Sequence, residues 1–388
     1  MALCRNNGLM FDDCRLILIS DYESNVLLKG IFLDILQIIT ALSHEFGIAD
    51  YVCGGGGNTS CKNEQTLWVK PSGTTLAGLA PQVFVALDRK KLAELFHIQA
   101  PADPAAREAL VKEKMENAIL TGTPGRASVE APLHNSLNAR YVVHTHPFIV
   151  NGMTCSKKAA TACKALFPDA LWLDYIDPGY TLCLRVRQEV QSYAQKNGSE
   201  PSVIFLKNHG VFVAADSPEE IRSLYADVMS KLKMQYQKAG VALDIEIGPA
   251  PDEKKREQDE QIIYRAMQDS NLFIAAGGAF DVALGPISPD HIVYSKSFPL
   301  PGVPTMASVS RFKSRYGYQP QVLAFNDAVF GVAASKKAAS LALELAQDGS
   351  RVKNLAQAFG GIDYMTDRAR EFIENWEVES YRKKQMES

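Results

Sequence analysis

Two histidines one residue apart, His144 and His146, close an apolar run, Tyr141-Val142-Val143, that reads as a buried strand. In an extended segment residues i and i+2 point to the same side, so this pair presents two imidazoles to one ion. A third, His209, follows another apolar run, Val203-Ile204-Phe205-Leu206, and precedes Gly210. Three neutral imidazole nitrogens leave room on zinc for a carboxylate, a water or a substrate oxygen, as catalytic sites do. Zinc is therefore the expected metal, with another divalent cation also compatible. An isolated His-x-His is common. The strand context, the third histidine and nearby glycine turns set this one apart. His44, His97 and His134 have no such company and read as surface or packing residues on helices, while His291, after Pro289-Asp290, is left open.

The glycine turns are the second chemical feature. Gly54-Gly55-Gly56-Gly57 costs backbone entropy unless a ligand or another backbone must come close. A dinucleotide fingerprint is excluded, because Thr59 takes the last glycine position and a strand, not a helix, follows. The amides of Gly56, Gly57 and Asn58, with Ser72, Gly73 and Thr74 of the turn Pro71-Ser72-Gly73-Thr74, instead form an expected nest of donors for a phosphate. Lys70 is placed to assist or to face outward from its strand. A flexible hairpin without a ligand is the alternative. Glu130, in Ser128-Val129-Glu130-Ala131-Pro132, is a carboxylate 14 residues before His144. Beside a cation it would ligate or carry a proton. On its own it would be a solvated surface group or a helix N-terminal residue.

Positioning these residues requires a scaffold. Apolar spacing predicts a long amphipathic helix over 24–46, strands at 66–69 and 83–87, and helices at about 88–97 and 104–120. Ser217-Pro218-Glu219-Glu220 opens a helix running through Tyr236, with Ser217 as cap and Glu220 reaching back to it. The Gly-Pro-Ala-Pro-Asp-Glu-Lys-Lys-Arg-Glu composition near 246–260 reads as a connector between a catalytic domain, 1–248, and a smaller α/β lobe, 249–388. Pro201, Val203 and Val213 recur as Pro320, Val322 and Val332 at a constant offset of 119, which sets His209 against Ala328. Tyr141 to His146 can likewise be laid over His291 to Lys296. The second lobe is thus expected to be a degenerate copy without the metal, against the alternative of chance similarity.

Composition excludes several partners. The 388 residues carry a formal net charge of -3, with 46% hydrophobic and 22% charged residues, so neither a nucleic-acid surface nor a disordered chain is indicated. No apolar stretch reaches the roughly 18 residues of a membrane helix. The N-terminus lacks the pattern of a secretory signal. The 7 cysteines are scattered and never in a CxxC pair. A reducing cytoplasm is the expected location.

Taken together the motifs resemble those of the class II aldolase and adducin family. Gly57-Asn58-Thr59-Ser60 is similar to its first phosphate turn and Pro71-Ser72-Gly73-Thr74 to its second. Ser128-x-Glu130 resembles the segment of the catalytic acid, and His144-x-His146-Pro147 with His209-Gly210 the three metal positions. Thr66 to Lys70, Gly285 to His291 and Phe372 to Glu377 are similar to the aldolase portion of fused rhamnulose-phosphate aldolase and short-chain alcohol dehydrogenase proteins, with the chain ending where the dehydrogenase would begin. The resemblance implies an α/β fold: a three-layer α/β/α sandwich with a mostly antiparallel sheet, plus the smaller lobe. It implies reversible cleavage of a ketose 1-phosphate to dihydroxyacetone phosphate and a short hydroxyaldehyde. Glu130 would shuttle the proton, and Ser128 would join the phosphate contacts. A homo-oligomer, up to a tetramer, is implied as well. An epimerase, a sugar-acid phosphate decarboxylase and a non-catalytic adducin-like module are the alternatives. Two departures stand out. Val129 occupies the place of a second phosphate-binding serine, and no tyrosine aligns with the catalytic one, Tyr175 and Tyr180 being nearby candidates.

Overall fold

The computed structural model of the chain describes residues 35–101, 103–123 and 125–376. In chain order, helix α1 (35–45) is followed by strands β1 (Asn58–Lys62), β2 (Thr66–Val69) and β3 (Val85–Asp88) and helices α2 (Arg89–Glu94), α3 (Pro104–Ala118) and α4 (Ala131–Ser136). Then come strand β4 (Tyr141–Thr145), helices α5 (Phe148–Thr154) and α6 (Ala159–Leu166), strand β5 (Leu171–Leu173) and helix α7 (Tyr180–Asn197). The hairpin of β6 (Val203–Leu206) and β7 (Gly210–Ala215) leads into α8 (Pro218–Lys238). These strands form one 7-stranded sheet in the order β3-β2-β1-β4-β7-β6-β5, with only β5 and β6 parallel.

Strand alternation explains the layers. Tyr141 and Val143 of β4, Val203 and Phe205 of β6, and Val211 and Val213 of β7 point into a core with α1, α5 and α8. Val142, Ile204, Phe212 and Ala214, one residue out of step, point into a second core with α4 and α7. Both faces are covered, so the central strands are buried throughout and read as continuous apolar runs. The fold is thus an α/β/α sandwich with a mostly antiparallel sheet.

The second sheet is built from α9 (Glu253–Met267), β8 (Phe273–Gly278), α10 (Pro289–Ser295), β9 (Leu300–Pro301), α11 (Met306–Tyr316), the hairpin of β10 (Val322–Phe325) and β11 (Ala328–Ala333), α12 (Lys336–Leu355) and α13 (Asp367–Asn375). Its strand order is β8-β11-β10-β9. That order, antiparallel except for β9 with β10, reproduces β4-β7-β6-β5 in both sequence of neighbours and pairing sense. The repeat inferred for Val203 and Val322 therefore extends to four of the seven strands of the larger sheet. Two details of it are corrected. Residues 289–295 form a helix, because Pro289 suits a first helical position after Ser288, and the counterpart of β4 is β8. The β6–β7 turn spans Lys207, Asn208 and His209, whereas β10–β11 closes over Asn326 and Asp327 alone, so His209 has no counterpart rather than facing Ala328.

Other expectations shift for local reasons. The four-glycine turn ends sooner than read, and Asn58, Thr59 and Ser60 belong to β1, paired with β4 and β2. The strand expected at 83–87 begins at Val85 after a 3-10 turn, and the helix over 88–97 ends at Glu94 with a second such turn. Half of the 246–260 connector is helical, since Asp252 caps α9 by accepting from the Lys255 amide at 2.8 Å. Ser217 caps α8 through the Glu220 amide at 3.2 Å. Of the expected helix over 24–46, the part before residue 35 lies outside the described residues. Among those residues no helix is long and apolar enough to cross a membrane, and Cys53, Cys61, Cys155, Cys163 and Cys183 are free.

Candidate metal centre

His144 is held by the ladder itself. In β4 it lies opposite Asn58 of β1 and Phe212 of β7. Its ring stacks on Phe212, with centroids 3.7 Å apart, and its Nδ1–H donates to the Val211 carbonyl at 2.9 Å. A carbonyl only accepts, so in the neutral ring Nε2 of His144 carries the lone pair. His146, just beyond the strand, sets Nδ1 2.5 Å from Oδ2 of Asp290 and turns Nε2 to within 2.9 Å of His144 Nε2. His209, in the β6–β7 turn, places its Nε2 3.4 Å from the same atom. Gly210 makes this approach possible. A Cβ there would lie 2.3 Å from the Thr145 carbonyl oxygen and 2.6 Å from His146 Cδ2.

Three nitrogens this close fit a shared cation. Zinc bonds to imidazole at roughly 2.0–2.1 Å, which in a tetrahedron spaces nitrogens ~3.3 Å apart. The separations of 2.9 and 3.4 Å bracket that spacing. Burial drives the His209 imidazole well below its ordinary pKa, and the adjacent His146 and His144 act in the same direction. The neutral form so favoured is the one that ligates metals.

Glu130, just before α4, brings the first carboxylate. Its Oε1 lies 3.5 Å from His144 Nε2, while Oε2 accepts from Asn58 Nδ2 at 3.2 Å. The same Asn58 amide donates to Ser128 Oγ at 2.7 Å, and Ser128 Oγ accepts the Glu130 amide at 3.3 Å. One oxygen of Glu130 therefore lies beside His144 Nε2 and the other is held. Asp290 brings a second negative charge. Two carboxyl groups beside three imidazoles suit a divalent cation.

Beside this group opens a narrow cleft. Of the expected phosphate contacts, Gly57, Ser72, Gly73 and Ser128 line it, together with Lys70, Val129, Glu130, His146 and His209. Several of the expected donors, in the lining or outside it, are committed elsewhere. The Gly56 amide donates to Cys53 O at 3.1 Å, the Ser72 amide to Arg126 O at 2.9 Å, and the Thr74 hydroxyl to Pro71 O at 2.9 Å. Asn58 serves Glu130 and Ser128 instead. The backbone nest expected from the two turns is therefore only partly present, because turn closure itself consumes those donors. Gly56 has a different reason to be glycine: a Cβ would sit 2.3 Å from Asp290 Oδ2 and 3.2 Å from His146 Nδ1.

Tyr180 does not reach the cleft, as its hydroxyl donates to Leu95 O at 2.6 Å, and Tyr175 packs with α10 and α13. Asp290 was not singled out from the sequence. Its signal was the Ser288-Pro289-Asp290 helix start, which places a carboxylate in a first turn but says nothing about which segment it meets. His291 turns away from the cleft, with Nδ1 2.7 Å from Ser288 Oγ and Nε2 3.0 Å from Asp348 Oδ2.

His44 and His97 are at the surface and His134 is wholly buried, 2.7 Å from Ser60 Oγ through Nδ1. Burial outweighs the attraction of Glu130 and, with His144 and Lys62, lowers the His134 pKa to about 3. Between the unfolded value near 6.5 and about 3, the unfolded chain binds a proton that the folded chain refuses. Stability supplied by neutral His134 is complete above pH 6.5 and is lost as pH falls through that window, by at most ~1.4 kcal/mol per pH unit. Denaturant titrations from pH 6.5 to 4 are expected to show a shallower decline for His134→Gln than for the parent, and parallel declines would exclude this source of acid sensitivity.

A family model described as Class II Aldolase and Adducin N-terminal domain matches residues 37–236, just over half of the chain. The chain is 23% identical over 282 residues to a Bacillus subtilis (strain 168) protein named "Uncharacterized oxidoreductase YuxG". That match takes in 64% of this chain and 39% of the relative, so the chain spans well under half of that relative's length. Among solved structures, the N-terminal class II aldolase domain of a conserved Thermoplasma acidophilum protein is similar at 23% identity and a TM-score of 0.43, over 50% of this chain and 91% of that one. The L-fuculose-1-phosphate aldolase of Thermus thermophilus is similar at 15% identity and a TM-score of 0.35, over 53% and 94%.

Proposed function

From the premise that the chain belongs to the class II aldolase and adducin family, we propose that it is a zinc-dependent aldehyde-lyase. Its reaction is the reversible cleavage of a ketose 1-phosphate, of the rhamnulose or fuculose 1-phosphate type, to dihydroxyacetone phosphate and a short hydroxyaldehyde. The observation that carries this reading is the convergence of three imidazole Nε2 atoms with one Glu130 oxygen at the wall of a cleft. Carbon–carbon cleavage of a ketose leaves an enediolate. His144, His146 and His209 would hold a divalent cation, which when bound would supply positive charge where that negative charge develops.

The chain's own residues do the rest. Glu130 Oε1, beside the centre, takes and returns the substrate proton, and Asn58 keeps the carboxylate in one orientation through Oε2. Lys70, Ser72, Gly73, Gly57 and Ser128 line the same cleft and bind the phosphate, the Lys70 ammonium supplying the charge that the committed amides do not. Phosphate held there orients the bond to be broken. Homo-oligomerisation, up to a tetramer, belongs to the same proposal. A solution mass equal to one subunit would remove it.

Ketose 1-phosphates incubated with the zinc-loaded protein are expected to yield dihydroxyacetone phosphate, read in a coupled reduction. Release of carbon dioxide from a sugar-acid phosphate would indicate a decarboxylase, and an isomeric product with its carbon skeleton intact an epimerase. No turnover of any of these by zinc-loaded protein would overturn the enzymatic reading.

A further inference from the structure

Only one of the three imidazoles is fixed by the larger sheet. His144 sits inside the ladder, but His146 follows the end of β4 and His209 occupies a hairpin turn. Side chains in such segments need other partners to hold one rotamer; His146 finds one in the unit of the second sheet, and the turn that carries His209 is pinned there through its neighbours. His146 Nδ1 meets Asp290 Oδ2 at 2.5 Å, with the two side chains 9% and 5% exposed. Next to His209, the Asn208 side chain is buried at φ 53 and donates through Nδ2 to Ile287 O at 3.0 Å and Asp363 O at 2.9 Å. Lys207 Nζ adds an ion pair to Asp363 Oδ2 at 2.6 Å.

The partner side is itself braced. Asp290 lies in the first turn of α10, every residue of which is buried and which packs against α12 and α13. The following residue, His291, sets Nε2 3.0 Å from Asp348 Oδ2 on α12. From the opposite side Gly56 closes on Asp290, leaving no room for a methyl group. The carboxylate is thus confined between a glycine turn of the first unit and a buried helix of the second.

We infer that Asp290 is a positioning residue for the metal centre, holding His146 with Nε2 toward the ion, and that the second-sheet unit, through Asp290 and the Asn208 contacts, sets the metal affinity of imidazoles carried by the first. A carboxylate accepting the second N–H of a ligating histidine fixes its tautomer and ring orientation, and loss of such a partner typically costs 10–100-fold in metal affinity. This inference rests on the proposed metal site.

The test is zinc affinity by chelator competition on the full chain, with the visible spectrum of the cobalt(II)-substituted protein as a second readout. Asp290→Ala is expected to weaken zinc ~10- to 100-fold and to change the cobalt bands. Asp290→Asn, which keeps an acceptor oxygen for the Nδ1–H, is expected to fall between it and the parent. Gly56→Ala, whose Cβ would lie 2.3 Å from Asp290 Oδ2 and 3.2 Å from His146 Nδ1 and so forces their pairing apart, is expected to weaken zinc too, and serves if Asp290→Ala does not fold. Zinc affinity within twofold of the parent in Asp290→Ala, or in Gly56→Ala where the former cannot be made, overturns the inference. A parent chain that binds neither zinc nor cobalt overturns the metal reading itself, which separates the two failures.

Discussion

His209→Ala is expected to leave a folded protein that retains no stoichiometric zinc after dialysis and cleaves ketose 1-phosphates roughly 10³-fold more slowly, the several kcal/mol of charge stabilisation that a divalent ion contributes. The position suits the test. His209 sits in a hairpin turn, so truncation removes a ligand without opening a hole in the sheet, whereas His144 stacks on Phe212 inside the buried ladder and its loss would also disturb packing. Two remaining imidazoles, His144 and His146, would hold zinc far less tightly than three. Metal analysis and a thermal melt of the same sample separate loss of metal from loss of fold. Stoichiometric zinc in a folded His209→Ala would place the ion elsewhere and dissolve the centre as drawn.

Glu130→Gln should behave in the opposite way, with zinc retained and turnover reduced by roughly 10²- to 10⁴-fold, the span of general acid–base contributions. The substitution keeps the shape, and a glutamine oxygen can still accept from Asn58 Nδ2, so the three imidazoles lose no partner that orients them. What disappears is a group able to accept a proton at the Oε1 position, 3.5 Å from His144 Nε2. With binding groups intact, the loss should appear in kcat more than in KM. Turnover equal to the parent would take Glu130 out of the chemistry and leave it as a neighbour of the centre. The contrast between the two variants is itself informative: one loses the ion and the activity, the other the activity alone.

Much of the scaffold was legible because local rules decided it. The apolar runs at Thr66–Val69 and Val203–Leu206 are strands at the expected residues, and Ser217-Pro218 starts α8, since caps and short buried strands depend on neighbours in the chain. Tertiary pairing overrode local signals elsewhere. Asn58 to Ser60 look like the tail of a glycine turn yet pair with β4, and the charged run after Asp252, composed like a linker, is a solvated helix. The repeat was visible in a few matched residues, but its extent was not, because strand order leaves no mark on sequence.

For the site the division is sharper. Residue type and spacing by themselves determined which imidazoles were available: an i, i+2 pair closing one buried strand and a third histidine before a glycine at the end of another, all chemically suited to one divalent ion. Only the tertiary structure decided that Gly210 would let the two strands close until those nitrogens stood 2.9 and 3.4 Å apart, that Gly56 would crowd a carboxylate rather than cradle a phosphate, and that this carboxylate would be Asp290. The physical reason is separation along the chain. His146 and Asp290 are 144 residues apart, and a contact of that range is selected by the packing of whole helices and sheets, for which no local pattern stands as a sign.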